Sequence, residues 1–317
     1  MDRRAILKSI ALLGATAVFS SFRGMELMAQ TLANPENGKT SGAGTVDLVA
    51  VLGGEPAPML QRAMQEMGGM GQYVAKGSKV VVKPNIGWDK TPEQGANTNP
   101  ELVVAIIRQC FEAGAAEVFV FDHTCDEWTR TYKTSGIEDA AKNAGATVLP
   151  ANQEVYFRTV SLPAGRVLKE AKVHQAILDS DVWINAPVLK HHGGANLTIA
   201  MKNYMGIVWD RKYFHRNGLP ECIADICTFE KRPVLNIIDA YRVVTENGPK
   251  GRSENDVTTA KALFISKDIV AGDTVAAKFF SQMRDMPLDH MPYLAYGQSQ
   301  QTGTMDIDSL NIRRIRM

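Results

Sequence analysis

Short apolar segments alternate with amphipathic helical patterns along most of this chain of 317 residues. The apolar segments lie at 46–52, 79–83, 117–122, 146–149, 181–185, 234–239 and 261–266. Helical spacing or helix-start signals fall between them, at 58–67, 99–112, 136–143, 196–204, 220–229 and 269–283. Buried strands separated by helices are typical of a parallel sheet covered on both faces. We therefore expect an α/β fold with a mostly parallel, mixed-edge sheet flanked by helices, in one large domain over 46–317.

Three local patterns add detail to this expectation. Asn99 is placed to cap a helix that has Pro100 at its first position. The segment 155–168 is predicted to form a β-hairpin that turns at 163–165. The segment 310–315 is predicted to be a closing edge strand, where Arg313 and Arg314 discourage further pairing.

The first 33 residues are predicted to form an export signal. Arg3 and Arg4 are followed by Leu7 and Lys8 and by an apolar stretch, which resembles the twin-arginine pattern. An ordinary Sec signal and an uncleaved amphipathic start are the alternatives. The expectation is a periplasmic or otherwise exported protein, delivered by the twin-arginine machinery and either cleaved or membrane-anchored by this segment, with a linker at 34–45.

Composition excludes several classes of protein. The formal net charge is +1, from 35 basic and 34 acidic residues, so no strongly basic field is present to bind nucleic acid. The four cysteines contain no C-x-x-C pair, so no iron–sulfur cluster is expected from them. Cys222 and Cys227 are expected to be core thiols, whereas Cys125 lies beside the predicted site.

Polar side chains follow several of the predicted strands. Ligands of open α/β sheets bind beyond the carboxyl ends of the strands, so these side chains are expected to share one site. The predicted ligand-binding residues are Lys83, Asn85, Asp122, Lys190 and Asn203. The predicted catalytic residues are Lys202, His192, His215 and Asp239.

Two kinds of chemistry suit this set. His191 or His192 together with His215 would suit a divalent metal. The lysines would instead suit a carboxylate or phosphate. A turn at Gly193 and Gly194, ahead of a helix beginning near Asn196, would offer backbone N–H groups to an anion.

The order of motifs resembles the "domain of unknown function 362" family over roughly 46–283. The matching strings lie at 80–85, 99–104, 112–115, 189–192, 200–206, 223–225, 239, 247–249 and 266–273. The family pattern implies a role for Lys83, Asn85, Lys190, one of His191 and His192, Lys202, Asn203, His215, Asp225, Asp239, Asp268 and Asp273. Many relatives carry a ferredoxin-like iron–sulfur segment, and this chain lacks the cysteines of that segment. The resemblance implies no particular reaction.

Two functions remain open at this point. The first is an exported enzyme that acts on an anionic small molecule, either with a metal or by acid–base chemistry. The second is a non-catalytic binder, such as a cofactor carrier or an assembly factor for another exported protein. A structural role as cap or turn former is expected for Asp268 and is left open for Asp225 and Asp273.

Overall fold

An eight-stranded sheet forms the centre of residues 45–317, which the computed structural model describes. The strands of the described chain, numbered in order, are β1 (Leu48–Leu52), β2 (Lys79–Pro84), β3 (Glu117–Val120), β4 (Thr147–Val148), β5 (Phe157–Ser161), β6 (Glu170–His174), β7 (Val182–Ala186), β8 (Lys190–His192), β9 (Asn196–Thr198), β10 (Leu235–Val244), β11 (Val257–Ser266) and β12 (Ile312–Arg316).

The central sheet has the order β12-β1-β11-β10-β7-β2-β3-β4. Strand β11 is antiparallel to its neighbours β1 and β10, and the remaining neighbours pair in parallel. The prediction of a mostly parallel, mixed sheet in a single domain is therefore confirmed.

Helices cover both faces of this sheet. They are α1 (Pro56–Glu66), α2 (Pro100–Glu112), α3 (Trp128–Thr134), α4 (Ile137–Asn143), α5 (Gln175–Asp179), α6 (Ala200–Asn203), α7 (Arg211–Arg216), α8 (Leu219–Ile226), α9 (Ile269–Phe280) and α10 (Pro292–Ser299). Two apolar clusters follow from this arrangement. The side chains of α1, α2 and α4 pack on one face, and those of α6, α8, α9 and α10 pack on the other.

Alternation along each strand sends side chains to both clusters. In β1, Leu48 and Ala50 belong to one cluster, whereas Val49 and Val51 belong to the other. Because both faces are covered, the strand reads as a continuous apolar run rather than as an alternating one. This is why the strands were visible in the sequence.

The predicted start of α2 is confirmed. The Asn99 side chain accepts a hydrogen bond from the Glu101 backbone N–H at 2.9 Å, and Pro100 occupies the first helical position. An N-cap side chain satisfies a backbone donor that has no partner within the helix.

Two local predictions were wrong in part. A hairpin does form after residue 155, but β5 pairs with β6, so its second arm is Glu170–His174 rather than a segment ending at 168. The segment 196–204 is not one helix. Strand β9 pairs with β8 and α6 begins only at Ala200, because Gly193 and Gly194 turn a hairpin instead of preceding a helix.

The edge strand is confirmed as β12, which pairs with β1 through one edge and exposes Arg313 and Arg314. The predicted signal and residues 34–44 of the predicted linker lie outside the described residues. Between residues 45 and 317, no helix has the length and apolarity needed to cross a membrane.

Candidate functional site

A cavity of about 680 Å³ opens beyond the carboxyl ends of β2 and β3. The hairpin β8–β9, helices α6 and α7 and the segment between these helices supply much of the remaining lining. We call Lys83, Asn85, Asp122, Lys190 and Asn203 the cavity floor, and His192, Lys202, Arg211, Lys212 and His215 the cavity rim. All ten residues line the cavity. The structure brings together eight of the nine residues predicted to be catalytic or ligand-binding, and the ninth, Asp239, lies elsewhere.

The centre of the floor is a buried ion pair. Lys83 is fully buried at the end of β2, and its Nζ lies 2.8 Å from Asp122 Oδ1. The same Nζ donates to the backbone oxygen and to Oδ1 of Asn203, both at 2.8 Å. Burial lowers the pKa of Lys83, and the charge of Asp122 opposes that shift. Its ammonium group is saturated by these partners.

Space for this pair depends on Gly206. A Cβ atom on Gly206 would lie 1.8 Å from Asp122 Oδ1 and 2.4 Å from Lys83 Nζ. Real Cβ atoms do not approach other atoms so closely, so a side chain here would displace the pair.

A series of three hydrogen-bonded side-chain amides extends from the floor into strands β7 and β10 of the sheet. Asn203 Nδ2 donates to Asn185 Oδ1 at 2.8 Å, and Asn185 Nδ2 donates to Asn236 Oδ1 at 3.0 Å. All three side chains are buried. Because each buried amide forms a hydrogen bond with the next, the three together specify a single arrangement of the strands and of α6.

Lys190 is the second floor lysine and has no carboxylate against it. Its Nζ donates to Asn85 Oδ1 at 3.0 Å and to the backbone oxygen of Ala96. The side chain is 1% exposed, and burial lowers its pKa from 10.5 to about 7. Lys190 is held in place by neutral acceptors.

On the rim, His192 is fixed in one tautomer. Its Nδ1 accepts hydrogen bonds from the backbone N–H groups of Gly194 and Ala195, at 3.0 and 3.1 Å. Burial and the charges of Lys202 and Lys190 lower its pKa to about 2. The neutral ring therefore carries its proton on Nε2, where it is a hydrogen-bond donor to a ligand.

Lys202 differs from both floor lysines. It is partly buried on α6, and within residues 45–317 its Nζ makes neither a hydrogen bond nor an ion pair. Burial lowers its pKa from 10.5 to about 8, and the positive charges of Arg211 and Lys83 act in the same direction. Its amine lines the cavity without a partner among the described residues.

Arg211 joins the rim to the loop that follows β3. Its guanidinium donates to the backbone oxygens of His123 (2.7 Å) and Thr124, and Nη1 lies 3.1 Å from the exposed Cys125 thiol. This arrangement fixes the loop that carries Asp122 and adds positive charge to the cavity.

One wall of the cavity is aromatic. The ring of His123 stacks on Trp209 with centroids 5.0 Å apart and an interplanar angle of 7°. His123 Nδ1 lies 2.8 Å from the Val208 oxygen, and burial lowers the pKa of His123 to about 4. The neutral ring donates from Nδ1, which leaves Nε2 as an acceptor.

Positive groups outnumber negative groups in the cavity lining. The basic residues are Lys83, Lys190, Lys202, Arg211 and Lys212, whereas the carboxylates are Asp122 and Asp210. Both carboxylates are engaged, Asp122 with Lys83 and Asp210 with the Tyr213 backbone N–H. The unopposed charge therefore favours an anionic ligand.

The three histidines predicted to bind a metal are not assembled around one point. His191 is absent from the cavity lining, because successive residues of a strand face opposite sides, and its Nδ1 accepts from the Gly248 backbone N–H at 2.9 Å. His215 is exposed on α7. The described part of the chain contains no group of three His, Cys, Asp or Glu side chains that could hold a metal ion.

Asp239, expected to be catalytic, lies away from the cavity lining. It is buried in β10 and accepts hydrogen bonds from the backbone N–H groups of Asn99 (2.7 Å) and Tyr241 (2.9 Å). Burial raises its pKa to about 6. Its carboxylate holds the start of α2 against the sheet, so the structure does not bring Asp239 to the cavity with the other predicted residues.

The other aspartates act on backbone donors. Asp225 accepts from Arg166, Val167 and Leu168, Asp273 accepts from Ala200 and Met201, and Asp268 caps α9 through the Ala271 N–H. The structural role expected for Asp268 matches this contact. Asp273 reaches the site indirectly, because it fixes the start of the helix that carries Lys202 and Asn203.

Several lining residues were not among those predicted from the sequence. Those that bring polar or aromatic groups include His123, Thr198, Trp209, Arg211 and Lys212. His123 directly follows Asp122 and could have been found as a strand-end residue. Trp209 and Arg211 lie on no strand end, and only their position close before His215 was a signal. Cys222 and Cys227 are buried free thiols, as expected.

Comparisons with known proteins agree with the family resemblance. Residues 80–278 match DUF362, a domain of unknown function. The chain is 27% identical over 230 residues to the thylakoid-associated protein sll1697 of Synechocystis sp., covering 68% of this chain and 67% of that protein. A solved structure of the lactate racemase apoprotein from Thermoanaerobacterium thermosaccharolyticum aligns with a TM-score of 0.46 and 13% identity, over 75% of this chain and 58% of that one.

Proposed function

The chain belongs to the DUF362 family, and from this premise and the geometry of the cavity we propose that it is an exported enzyme acting on a small anionic molecule. The proposal rests on the side chains of the rim. His192 presents an Nε2–H donor and Lys202 presents an ammonium group to a cavity that carries excess positive charge. A volume of about 680 Å³ suits a small metabolite rather than a polymer.

The hydrogen bonds of the two floor lysines agree with this proposal. Lys83 and Lys190 are bound to protein groups, so neither offers a free donor, and the charge of Lys83 is opposed by Asp122. A ligand would therefore contact the rim and the aromatic wall. In its charged form, buried Lys190 has no carboxylate against it, so it attracts an anion through a lower dielectric than that of water.

Ligand binding tests the proposal directly. Thermal unfolding at low salt would be measured with oxalate, pyruvate, phosphate and sulfate, with neutral glycerol as a reference. An anion present at a free concentration of about one hundred times its Kd stabilises the folded protein by about 2.7 kcal/mol. We expect such a shift in the wild type and its loss in Lys202→Gln.

The matched control is Lys278→Gln, an exposed position on α9 away from the cavity. This variant should respond to anions as the wild type does. If no anion stabilises the wild type, or if both variants lose the response equally, the proposal fails.

Turnover separates the enzyme from the carrier. A catalyst should lose conversion of a bound anion in His215→Ala while binding is largely retained. A carrier should retain the bound anion unchanged over long incubation, as followed by NMR of the ligand. Unchanged ligand for every stabilising anion would favour the binding or assembly role.

Export is proposed from Arg3 and Arg4 together with Leu7, Lys8 and the apolar stretch that follows them. Twin-arginine transport needs the paired arginines themselves, whereas a Sec signal needs only positive charge near its start. We expect the Arg3→Lys/Arg4→Lys variant to accumulate in the cytoplasm in a fractionation assay. Undiminished delivery to the periplasm would support a Sec signal instead.

A further inference from the structure

Four lysines line the cavity, and Lys212 is the exposed one. The partners of the other three divide them into two kinds. Lys83 and Lys190 each use Nζ for contacts to protein oxygens. Lys202 Nζ has no such contact within residues 45–317. A hydrogen-bonded ammonium group serves structure, whereas a partly buried amine without a hydrogen-bond partner, next to other positive charges, is the arrangement in which lysine becomes a nucleophile.

We propose that Lys202 is the covalent nucleophile of this site, and that it forms an imine with the carbonyl carbon of a small 2-oxo acid. This inference rests on the proposed anion site and specifies its substrate class. The carboxylate of such a substrate would meet the positive rim, and its carbonyl oxygen would lie within the same cavity as the His192 Nε2–H donor.

The base of Lys202 is held rigidly, which favours a defined attack. Asp273 accepts from the backbone N–H groups of Ala200 (2.8 Å) and Met201 (3.0 Å) at the start of α6. The next residue, Asn203, is locked into the floor by Lys83 and Asn185. The backbone on both sides of Lys202 is therefore fixed, and only its side chain is free to reach a ligand.

The protonation state of Lys202 agrees with this role. With a pKa of about 8, about a tenth of the Lys202 amines are uncharged at pH 7. An ordinary lysine is uncharged in fewer than about one molecule in a thousand at that pH. Lys212 lies on the rim as well, but it is exposed to solvent.

The reaction needs no oxidant or reductant. The lone pair of Nζ attacks the carbonyl carbon, and the carbonyl electrons move to oxygen. The oxygen takes up one proton as the nitrogen gives one up, which yields a neutral carbinolamine. Loss of the nitrogen proton and of the hydroxyl group, released together as water, forms the C=N bond. Protonation of the imine nitrogen then gives an electron sink beside the carboxylate.

Reductive trapping tests this inference. The full protein would be incubated with pyruvate or glyoxylate and sodium cyanoborohydride, which converts an imine to a stable secondary amine. Intact mass and peptide mapping would locate the adduct. We expect one adduct per chain at Lys202, formed at least tenfold faster than at the exposed Lys278, and suppressed by excess oxalate.

The variant Lys202→Arg keeps the positive charge and removes the nucleophile. We expect it to fold, to bind oxalate and to form no adduct in the cavity. Adducts that appear on Lys190, or equally on Lys202 and Lys278, overturn the inference, as does the absence of an adduct at Lys202 with both oxo acids. If oxalate still stabilises the protein in that case, the anion site stands and only the imine fails. If oxalate also has no effect, the proposed function fails with it.

Discussion

The floor and the rim of the cavity both contain lysines, but the polar partners of those lysines differ. On the floor, Lys83 is fully buried and bound by Asp122 and Asn203. On the rim, Lys202 is partly buried and has no polar partner between residues 45 and 317. A fully buried charge is tolerated only with polar partners, so Lys83 needs its contacts to Asp122 and Asn203. A partly buried amine such as that of Lys202 can remain without one.

The largest expected effect comes from breaking the floor with Asp122→Asn. This change removes the charge opposite Lys83 and weakens the acceptor that Asp122 Oδ2 offers to the Ile86 backbone N–H at 2.6 Å. Loss of one partner of a buried ion pair costs about 3–5 kcal/mol. Urea unfolding at pH 7 should show this loss, with Lys278→Gln within about 0.5 kcal/mol of the wild type. A loss below about 1 kcal/mol would mean that the pair contributes little to stability.

The second-largest effect is expected in the pH dependence of the unfolding free energy, because Lys190 is buried in the floor. The pKa of Lys190 is about 7 in the folded protein and near 10.5 when exposed. Between these values the unfolded chain binds more protons, so this contribution to stability is lost as pH falls towards 7 and is complete above 10.5. Its slope has a limit of about 1.4 kcal/mol per pH unit.

The variant that tests this slope is Lys190→Met. Unfolding free energies at pH 7, 8, 9 and 10 should rise with pH more steeply in the wild type than in Lys190→Met. Other titrating groups are common to both proteins and cancel in the difference. Parallel curves would show that Lys190 keeps an ordinary pKa and is not desolvated by the floor.

The smallest effect on stability is expected on the rim. Lys202→Met removes an unpaired ammonium group near Arg211 and Lys83, so we expect stability at pH 7 to be unchanged or to increase by up to about 1 kcal/mol. Anion binding should be lost in the same variant. A destabilisation above about 2 kcal/mol would place Lys202 with the floor and would contradict the contrast between the two regions.

Much of the fold could be read from strand patterns because both faces of the sheet are covered. Continuous apolar runs such as 79–83 leave little ambiguity once helices separate them. The segment 187–204 was harder to predict. The two-residue turn at Gly193 and Gly194 fits either a hairpin or a loop before a helix, and the pairing of Lys190 with Thr198 decides between them.

The site was predicted at the level of residue type and not of role. Lys83, Asn85, Asp122 and Lys190 line the cavity, as expected for residues near strand ends, and Lys202 and Asn203 line it from α6. Asp239 also follows a strand pattern, but its neighbours are backbone N–H groups, which no sequence spacing reveals. Likewise, spacing could not show which of the adjacent His191 and His192 faces the cavity.

The sequence by itself determined the layered α/β architecture, the edge at which the polar residues gather and the family to which the chain belongs. Those properties follow from local periodicity and from the order of motifs along the chain. The tertiary structure alone decided which of the buried and partly buried cavity lysines has no polar partner within residues 45–317, because the partners of Lys83 and Lys190 come from distant parts of the chain, such as Asn203 and Ala96. A side chain is structural or reactive according to what surrounds it, and those surroundings exist only once the chain has folded.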